Sequence, residues 1–254
     1  MAPPSHIEFH HGLLDSLQSL LTIITVAVFI LTFVAQPFRI PSASMENTLL
    51  VGDFLLVNKQ VFAPAGKVWA WLLPYETVRR RDVIVFHYPV DPSIHLVKRV
   101  VGVPGDRLRL GRGLVFINGD QLHEPYAIYR STHPDVFRDS FPALSEGDPG
   151  IEPQWWIDLP HYVQAGELVV PPDRYFVMGD NRNDSQDSRY WGFVPMDSIV
   201  GQPLLIYFSL RESNGTGSGE LPAETQPPRN GDLGKVVGVI EDLARWDRTL
   251  QVVR

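Results

Sequence analysis

The feature that most constrains this chain is a run of 23 residues without a charged side chain, from Ser16 to Phe38, bounded by Asp15 and Arg39. As an α-helix this run is roughly 35 Å long, enough to cross a hydrocarbon core of about 30 Å. A cleaved signal peptide is the rival interpretation, but the run is too long and no Lys or Arg precedes it. The sequence therefore predicts an uncleaved transmembrane helix over 16–38.

The charges beside this helix do not determine its orientation. The N-terminal tail, 1–15, contains no Lys or Arg, whereas Arg39 follows on the other side. The positive-inside rule therefore gives no support for a cytoplasmic N-terminus. No second apolar span follows in the sequence, which predicts one anchor and one extramembrane body.

The composition of the body favours short strands and turns. Of 254 residues, 22 are Pro and 20 are Gly, and both residues interrupt long helices. The formal charge of −7, without a basic stripe, argues against nucleic acid as a partner. The absence of cysteine excludes disulfides, cysteine nucleophiles and thiolate metal sites.

Apolar and β-branched runs predict a mainly β body. The predicted strands are Asp53–Lys59, Val83–Phe86, His95–Gly102, Leu114–Ile117 (the first arm of a hairpin turning at Asn118-Gly119), Arg174–Met178 and Leu204–Phe208. Residues 125–168 are Pro-rich and aromatic, with little regular structure expected, and 212–233 have a linker composition. The run 68–73 is either a core segment or a loop at the membrane interface, and 235–253 is a candidate amphipathic helix.

Two serines directly after the helix, Ser42 and Ser44, are candidate nucleophiles near a membrane surface. A serine hydroxyl needs a base to react, and the usual base is a histidine backed by a carboxylate. His87 and His95 lie in or beside predicted strands and belong to no triad motif, so packed or edge histidines are the better interpretation.

The alternative base is Lys98. With a period of two, Leu96 and Val100 share its strand face, and an apolar environment disfavours a charged amine. Lowering its pKa to about 8 costs roughly 3 kcal/mol, which a folded domain can sustain. The competing interpretation is a lysine whose amine reaches solvent, as most lysines do.

A loop rich in Asp, Asn and Ser, Gly179–Gly192, is the third notable segment. It does not fit a calcium-binding EF-hand because the sixth place holds no glycine, and we predict no metal. Its short polar side chains favour a structural role instead. We expect Ser185 and Ser188 to orient Lys98, and an ion pair within the loop to brace it.

Four segments in this order resemble bacterial signal peptidase I, the Ser/Lys leader peptidase family. The matching residues are Pro41-Ser42-Ala43-Ser44-Met45 with Thr48-Leu49 and Gly52-Asp53; Arg81–Phe86; Lys98–Gly102 with Pro104-Gly105-Asp106; and Gly179–Arg182 through Gly192. A weaker similarity to family tails covers Arg245–Arg248. The chain departs from some members in having one anchor, Asn183-Asp184 in place of Asp-Asn, and Leu96 in place of an aromatic residue.

The resemblance implies roles for the matching residues. Ser44 would be the nucleophile and Lys98 the general base, with the Ser42 hydroxyl and the Ser44 N–H binding the oxyanion. Ser185 would orient the lysine. The remaining residues implied in the substrate pocket or its support are Met45, Val97, Asp180, Asp187 and Arg189.

The resemblance also implies a complex antiparallel β fold. We expect a catalytic β core over 39–112 and 169–211, an inserted β-rich subdomain over 113–168, and a linker with a C-terminal segment over 212–254. The family cleaves signal peptides from exported preproteins, which dock as extended strands with small residues before the cut. The resemblance implies no cofactor. The partners that it implies are preproteins, the lipid bilayer and the protein-export translocon.

The expected location is the bacterial cytoplasmic membrane, with a single pass and the catalytic body on the outer face. Two alternatives remain open at this point. The first is a self-cleaving repressor with the same dyad, which the anchor and the lack of a basic N-terminal domain disfavour. The second is an anchored β-rich scaffold without enzymatic activity, for which neither Ser44 nor Lys98 would matter.

Overall fold

A computed structural model describes residues 7–62, 76–130, 135–144, 147–211 and 243–253. The apolar run 68–73 and the predicted linker 212–233 lie outside these ranges.

The N-terminal helix α1, Ile7–Phe29, continues as a π-helical segment, Ile30–Val34. Within it, Leu14–Thr32 is long and apolar enough to cross a membrane, and none of this span is buried against the protein. The prediction of a helix over 16–38 is wrong at its C-terminal end, where Ala35–Arg39 forms strand β1. Pro37 cannot donate to a helix, and the absence of charge does not distinguish a helix from an uncharged edge strand.

The first sheet has eight strands in the order β1-β2-β12-β3-β4-β10-β11, with β13 paired to β12, and its strand pairs are antiparallel. Beyond β1 its strands are β2 Asp53–Asn58, β3 Val83–His87, β4 His95–Gly102, β10 Arg174–Met178, β11 Val194–Pro195, β12 Ile199–Ser209 and β13 Gln251–Val252. Strand β12 is long enough to pair with β2 and β13 along one part and with β3 along another.

The second sheet has five antiparallel strands in the order β7-β6-β5-β9-β8. They are β5 Arg107–Gly111, β6 Leu114–Ile117, β7 Asp120–Gln121, β8 Val163–Gln164 and β9 Glu167–Val169. The predicted hairpin at Asn118-Gly119 joins β6 to β7. The predicted subdomain limits, 113–168, cut through this sheet because β5 pairs with both β6 and β9.

Two further differences concern helices. Helix α3, Pro153–Tyr162, lies in the segment expected to be irregular, where it buries Trp155 and Leu159 on one face. Two short helices, α2 Val136–Asp139 and α4 Ser188–Trp191, flank it in the chain. The predicted C-terminal helix is wrong over the described residues 243–253, which form a 3-10 turn, Trp246–Arg248, and strand β13.

The two sheets share one hydrophobic core. Its buried side chains come from both sheets, with Ile84, Phe86 and Val100 from the first and Leu108 and Leu168 from the second. A smaller cluster lies beside the first sheet and includes Ile40, Met45, Leu49, Leu55, Val57, Val83, Val85 and Ile206. The predicted fold class, mainly antiparallel β with one apolar N-terminal helix, is confirmed.

Candidate active site

Ser44 lies in the loop that joins β1 to β2, inside a 3-10 turn, Ala43–Met45. The backbone N–H of Thr48 and that of Leu49 both donate to the Met45 carbonyl, at 3.0 and 2.8 Å. Met45 and Leu49 are buried in the smaller apolar cluster. These apolar anchors fix the turn and leave Ser44 only 8% exposed.

Lys98 lies in the middle of β4, where it pairs with Ile84 of β3. Its side chain is buried, and its Nζ lies 2.5 Å from the Ser44 Oγ. Burial lowers the pKa of Lys98 from 10.5 to about 8, against an opposing attraction from the Asp187 carboxylate. About a tenth of this amine is therefore neutral at pH 7, far more than for an ordinary lysine, and the neutral form can accept the serine proton.

Ser42 is the second serine at this site. It is exposed, and its Oγ lies 3.5 Å from the Ser44 Oγ. Its hydroxyl thus lies beside the nucleophile at the surface of the cleft, where a substrate carbonyl can reach it.

His87 and His95 do not join this pair. His87 and His95 face each other across β3 and β4, with ring centroids 4.4 Å apart. The Nδ1 of His87 is 2.8 Å from the Pro92 carbonyl oxygen. In the part of the chain that the structure describes, the side-chain hydrogen bonds of Ser44 go to Lys98 and Ser42.

The polar loop 179–192, next to Lys98, is held in place by an internal ion pair. Asp187 caps α4 and binds the Arg189 guanidinium through both carboxylate oxygens, at 2.8 Å each, with both side chains buried. The Gly179 N–H also donates to Asp187, at 3.1 Å. The structure thus forms the ion pair expected to brace this loop.

The expected hydrogen bonds from this loop to Lys98 are not formed. The Ser188 Oγ instead accepts from the Val177 N–H at 2.9 Å, since it lies at the start of α4 against β10. The Ser185 Oγ is buried without a hydrogen-bond partner among the described residues. Ser185 nevertheless lines the same cleft as Lys98.

A buried ion pair between Arg99 and Asp180 adds a contact that sequence reasoning did not predict. The Arg99 guanidinium binds both Asp180 oxygens, at 2.8 and 2.7 Å. Thr48 lies between them, accepting from Arg99 at 3.0 Å and donating to Asp180 at 2.5 Å. The Asn181 N–H donates to the Ser44 carbonyl at 3.0 Å, so this network reaches the nucleophile. An arginine inside an apolar strand was the available signal, because a buried guanidinium needs an acidic partner.

Of the other predicted residues, Val97 lies against the smaller apolar cluster that contains Met45. The opposite face of β4 opens into a cleft of about 470 Å³. Its lining combines the reactive residues with aromatic, aliphatic and polar side chains: Ser42, Ala43, Ser44, Tyr88, Ile94, Leu96, Lys98, Asn183, Asp184, Ser185, Gln186, Tyr190 and Trp191. An extended peptide can therefore reach the Ser44 hydroxyl from solvent.

Comparison with known proteins matches residues 13–208 to the family described as signal peptidase, peptidase S26. The chain is 34% identical over 209 residues to signal peptidase I of Pseudomonas fluorescens, a match that covers 77% of this chain and 72% of that protein. It is also 34% identical over 221 residues to signal peptidase I of Aquifex aeolicus, covering 75% of this chain and 82% of that protein.

Among solved structures, a signal peptidase I from Enterococcus faecalis V583 is 29% identical and overlays on 50% of this chain and 97% of its own, with a TM-score of 0.33. That score is too low to bear on the fold. The family match covers most of the chain, including both Ser44 and Lys98. This chain therefore belongs to the signal peptidase family, peptidase S26.

Proposed function

We propose that this protein is a membrane-anchored serine endopeptidase that removes signal peptides from exported preproteins, with Ser44 as nucleophile and Lys98 as general base. One observation carries this assignment. A buried lysine amine, with its pKa lowered to about 8, lies 2.5 Å from the hydroxyl of a serine that lines an open cleft.

The reaction begins when the neutral Lys98 amine takes the Ser44 proton and the Ser44 oxygen attacks the scissile carbonyl carbon. The resulting oxyanion accepts hydrogen bonds from the Ser42 hydroxyl and the Ser44 N–H. The Lys98 ammonium then protonates the leaving amine as the peptide bond breaks, which leaves the signal peptide esterified to Ser44. Water, deprotonated by Lys98, hydrolyses this ester and restores the serine.

The surrounding residues hold this geometry. The Asp187–Arg189 pair fixes the loop behind Lys98, and the Arg99–Asp180 pair fixes the end of β10 against the serine turn. Ser185 orients the Lys98 amine during turnover, when rotation of its unpartnered hydroxyl supplies a hydrogen bond. Met45 and Val97 pack in the smaller apolar cluster on the other face of β4 and support the reacting groups from there.

The substrate and the location follow from the anchor. The span Leu14–Thr32 continues almost directly into β1, and the serine loop follows β1 in the chain. This short connection holds Ser44 near the bilayer surface, where a signal peptide leaves the membrane. We place the catalytic body on the outer face of the bacterial cytoplasmic membrane, with a single pass, in transient contact with the protein-export translocon. The reaction needs no metal or cofactor.

The test is cleavage of a preprotein by the full chain in detergent. Ser44→Ala and Lys98→Ala should each abolish cleavage, whereas Ser93→Ala, an exposed serine in the turn between β3 and β4, should cleave at the wild-type rate. A metal chelator should leave the rate unchanged. Wild-type cleavage by both dyad variants would refute the assignment.

A further inference from the structure

The serine loop, residues 40–52, is closed at its base by two backbone hydrogen bonds. The Ile40 N–H donates to the Asp53 carbonyl at 2.9 Å, and the Gly52 N–H donates to the Ile40 carbonyl at 3.0 Å. Ser44 lies between these ends. The conformation around Ser44 thus depends on what holds this base in place.

The C-terminal segment, residues 243–253, binds at this base although it lies about 200 residues further along the chain. The Arg248 guanidinium donates to both oxygens of the fully buried Asp53 carboxylate, at 3.1 and 2.6 Å. The Arg245 guanidinium lies 3.7 Å from the same carboxylate. Asp53 also accepts from the Ser209 hydroxyl at 2.6 Å and from the Leu50 N–H at 2.8 Å.

The same two arginines bind carbonyl groups of the serine loop. Arg248 donates to the Thr48 carbonyl oxygen at 3.0 Å, and Arg245 donates to the Val51 carbonyl oxygen at 2.8 Å. Each guanidinium therefore joins the loop backbone to Asp53. The planar arginine guanidinium has five N–H donors and can bind the carboxylate and a backbone carbonyl oxygen together. A lysine amine presents a single point charge instead.

The backbone of the segment is attached to the adjoining strand. The Arg245 N–H donates to the Ser209 carbonyl at 2.8 Å, and β13 pairs with β12. Gly52, with φ of +89°, lies so close to Leu210 that a Cβ there would come 2.2 Å from the Leu210 carbonyl oxygen. At Gly52, the base of the loop and the residue that follows β12 thus pack without room for an added side chain.

Thr48 connects this contact to the reactive groups. Its carbonyl accepts from Arg248, while its hydroxyl binds the Arg99–Asp180 pair. Arg99 directly follows Lys98 in β4, and Thr48 is four residues beyond Ser44. A change at Arg248 therefore reaches both members of the dyad through one residue.

We propose that the C-terminal segment is a clamp that positions the serine loop, and that Arg248 is its principal positioning residue. This inference rests on the proposed function of Ser44 and Lys98. The family match covers residues 13–208, and only the weaker similarity to family tails reaches Arg245 and Arg248. Without Arg248, the Asp53 carboxylate keeps the Ser209 hydroxyl, the Leu50 N–H and the Arg245 guanidinium at 3.7 Å, but it loses the cation that hydrogen-bonds both of its oxygens, and a buried carboxylate in that state draws in water. The loop base then loosens, and Ser44 spends less time within reach of the Lys98 amine.

The experiment compares Arg248→Ala with Arg174→Ala, an exposed arginine at the start of β10, in the full chain. For Arg248→Ala we expect kcat for preprotein cleavage to fall at least about ten-fold with KM within about two-fold of wild type, because the loss is in the positioning of Ser44. The pH at which kcat/KM levels off should not move, since the substitution leaves in place the burial and the Asp187 carboxylate that chiefly set the pKa of Lys98. Millimolar guanidinium should restore part of the lost kcat by occupying the vacated site, and Arg174→Ala should match wild type.

Arg248→Lys is the variant to use if Arg248→Ala does not fold. The lysine ammonium can reach the Asp53 carboxylate but cannot bind the Thr48 carbonyl oxygen at the same time. We therefore expect kcat to fall at least about three-fold with an unchanged thermal midpoint. A wild-type kcat in Arg248→Ala, or in a folded Arg248→Lys, would overturn the clamp, as would a loss that guanidinium fails to restore in a folded Arg248→Ala. Ser44→Ala separates the two proposals: its cleavage at the wild-type rate refutes the proposed function, whereas its inactivity beside a fully active Arg248→Ala refutes the clamp alone.

Discussion

The Nζ of Lys98 lies 2.5 Å from the Oγ of Ser44, although 54 positions separate the two residues in the chain. Strand β1, which leads to Ser44, lies at one edge of the first sheet, and β4 lies four places further across it. The serine loop spans this distance, and the hydrogen bond from the Asn181 N–H to the Ser44 carbonyl ties it to the end of β10, the strand next to β4. The dyad is thus a product of loop conformation as much as of strand order.

Lys98→Met should abolish cleavage and stabilise the protein at pH 7. Burial lowers the pKa of Lys98 to about 8, so at pH 7 the folded chain carries a charged amine that its surroundings disfavour. The shift corresponds to roughly 3 kcal/mol, which sets the upper bound on the gain because the hydrogen bond to Ser44 is lost as well. Thermal unfolding of the body, followed by tryptophan fluorescence, measures the difference.

The advantage of Lys98→Met should shrink as the pH rises from about 8 to about 10.5. In this window the unfolded chain holds a proton that the folded chain has released, so the wild type gains stability with pH and the variant does not. Lys59→Met, at a partly exposed lysine after β2, is the control for removal of a lysine charge, and its stability is measured over the same pH range. A variant less stable than wild type at pH 7 would contradict the account of Lys98 as a disfavoured buried cation.

Ser42→Ala should lower kcat about 100-fold with little change in KM. The Ser42 hydroxyl lies 3.5 Å from the Ser44 Oγ, and a donor to the oxyanion acts chiefly in the transition state. Steady-state cleavage of a signal-peptide substrate gives both constants. Ser42→Thr keeps a hydroxyl and should retain much of the rate, so equal losses in the two variants would argue against an oxyanion donor at this position.

Ser185→Ala should lower kcat about ten-fold while stability stays within about 0.5 kcal/mol of wild type or rises. The Ser185 Oγ is buried without a hydrogen-bond partner among the described residues, so its removal costs the folded state no hydrogen bond there. The effect on kcat arises if the hydroxyl turns toward Lys98 during turnover. Paired unfolding and kinetic measurements separate the two effects, and an unchanged kcat would remove Ser185 from the mechanism.

Local patterns in the sequence were sufficient for the apolar helix and for six strands, which correspond to β2, β3, β4, β6, β10 and part of β12. The pairing of Ser44 with Lys98 was expected from the resemblance to the Ser/Lys leader peptidases, because Leu96 and Val100 on the same strand face left open a lysine whose amine reaches solvent. The end of the apolar helix was not recognisable from charge alone, since β1 is also uncharged until Arg39. What distinguishes β1 is its pairing with β2, and that is a contact between distant residues.

The remaining differences have the same physical origin. Helix α3 contains Pro153 and Pro160 and forms because Trp155 and Leu159 find a core shared by two sheets. Arg248 could not be assigned from its own neighbours, because its partners are Asp53 and the Thr48 carbonyl. Ser188 was expected at Lys98, but the backbone N–H of Val177 competes for its hydroxyl. In each case, tertiary contacts decide what local sequence leaves open.

The pH dependence of kcat/KM tests the central claim most directly, because it reports the protonation state of the base in the free enzyme. The substrate should be a signal peptide without groups that titrate in the range. Since burial lowers the pKa of Lys98 to about 8, we predict that kcat/KM rises about ten-fold per pH unit below that value and becomes constant above it. A profile that is flat from about pH 6 to about pH 11 would contradict Lys98 as the base that activates Ser44.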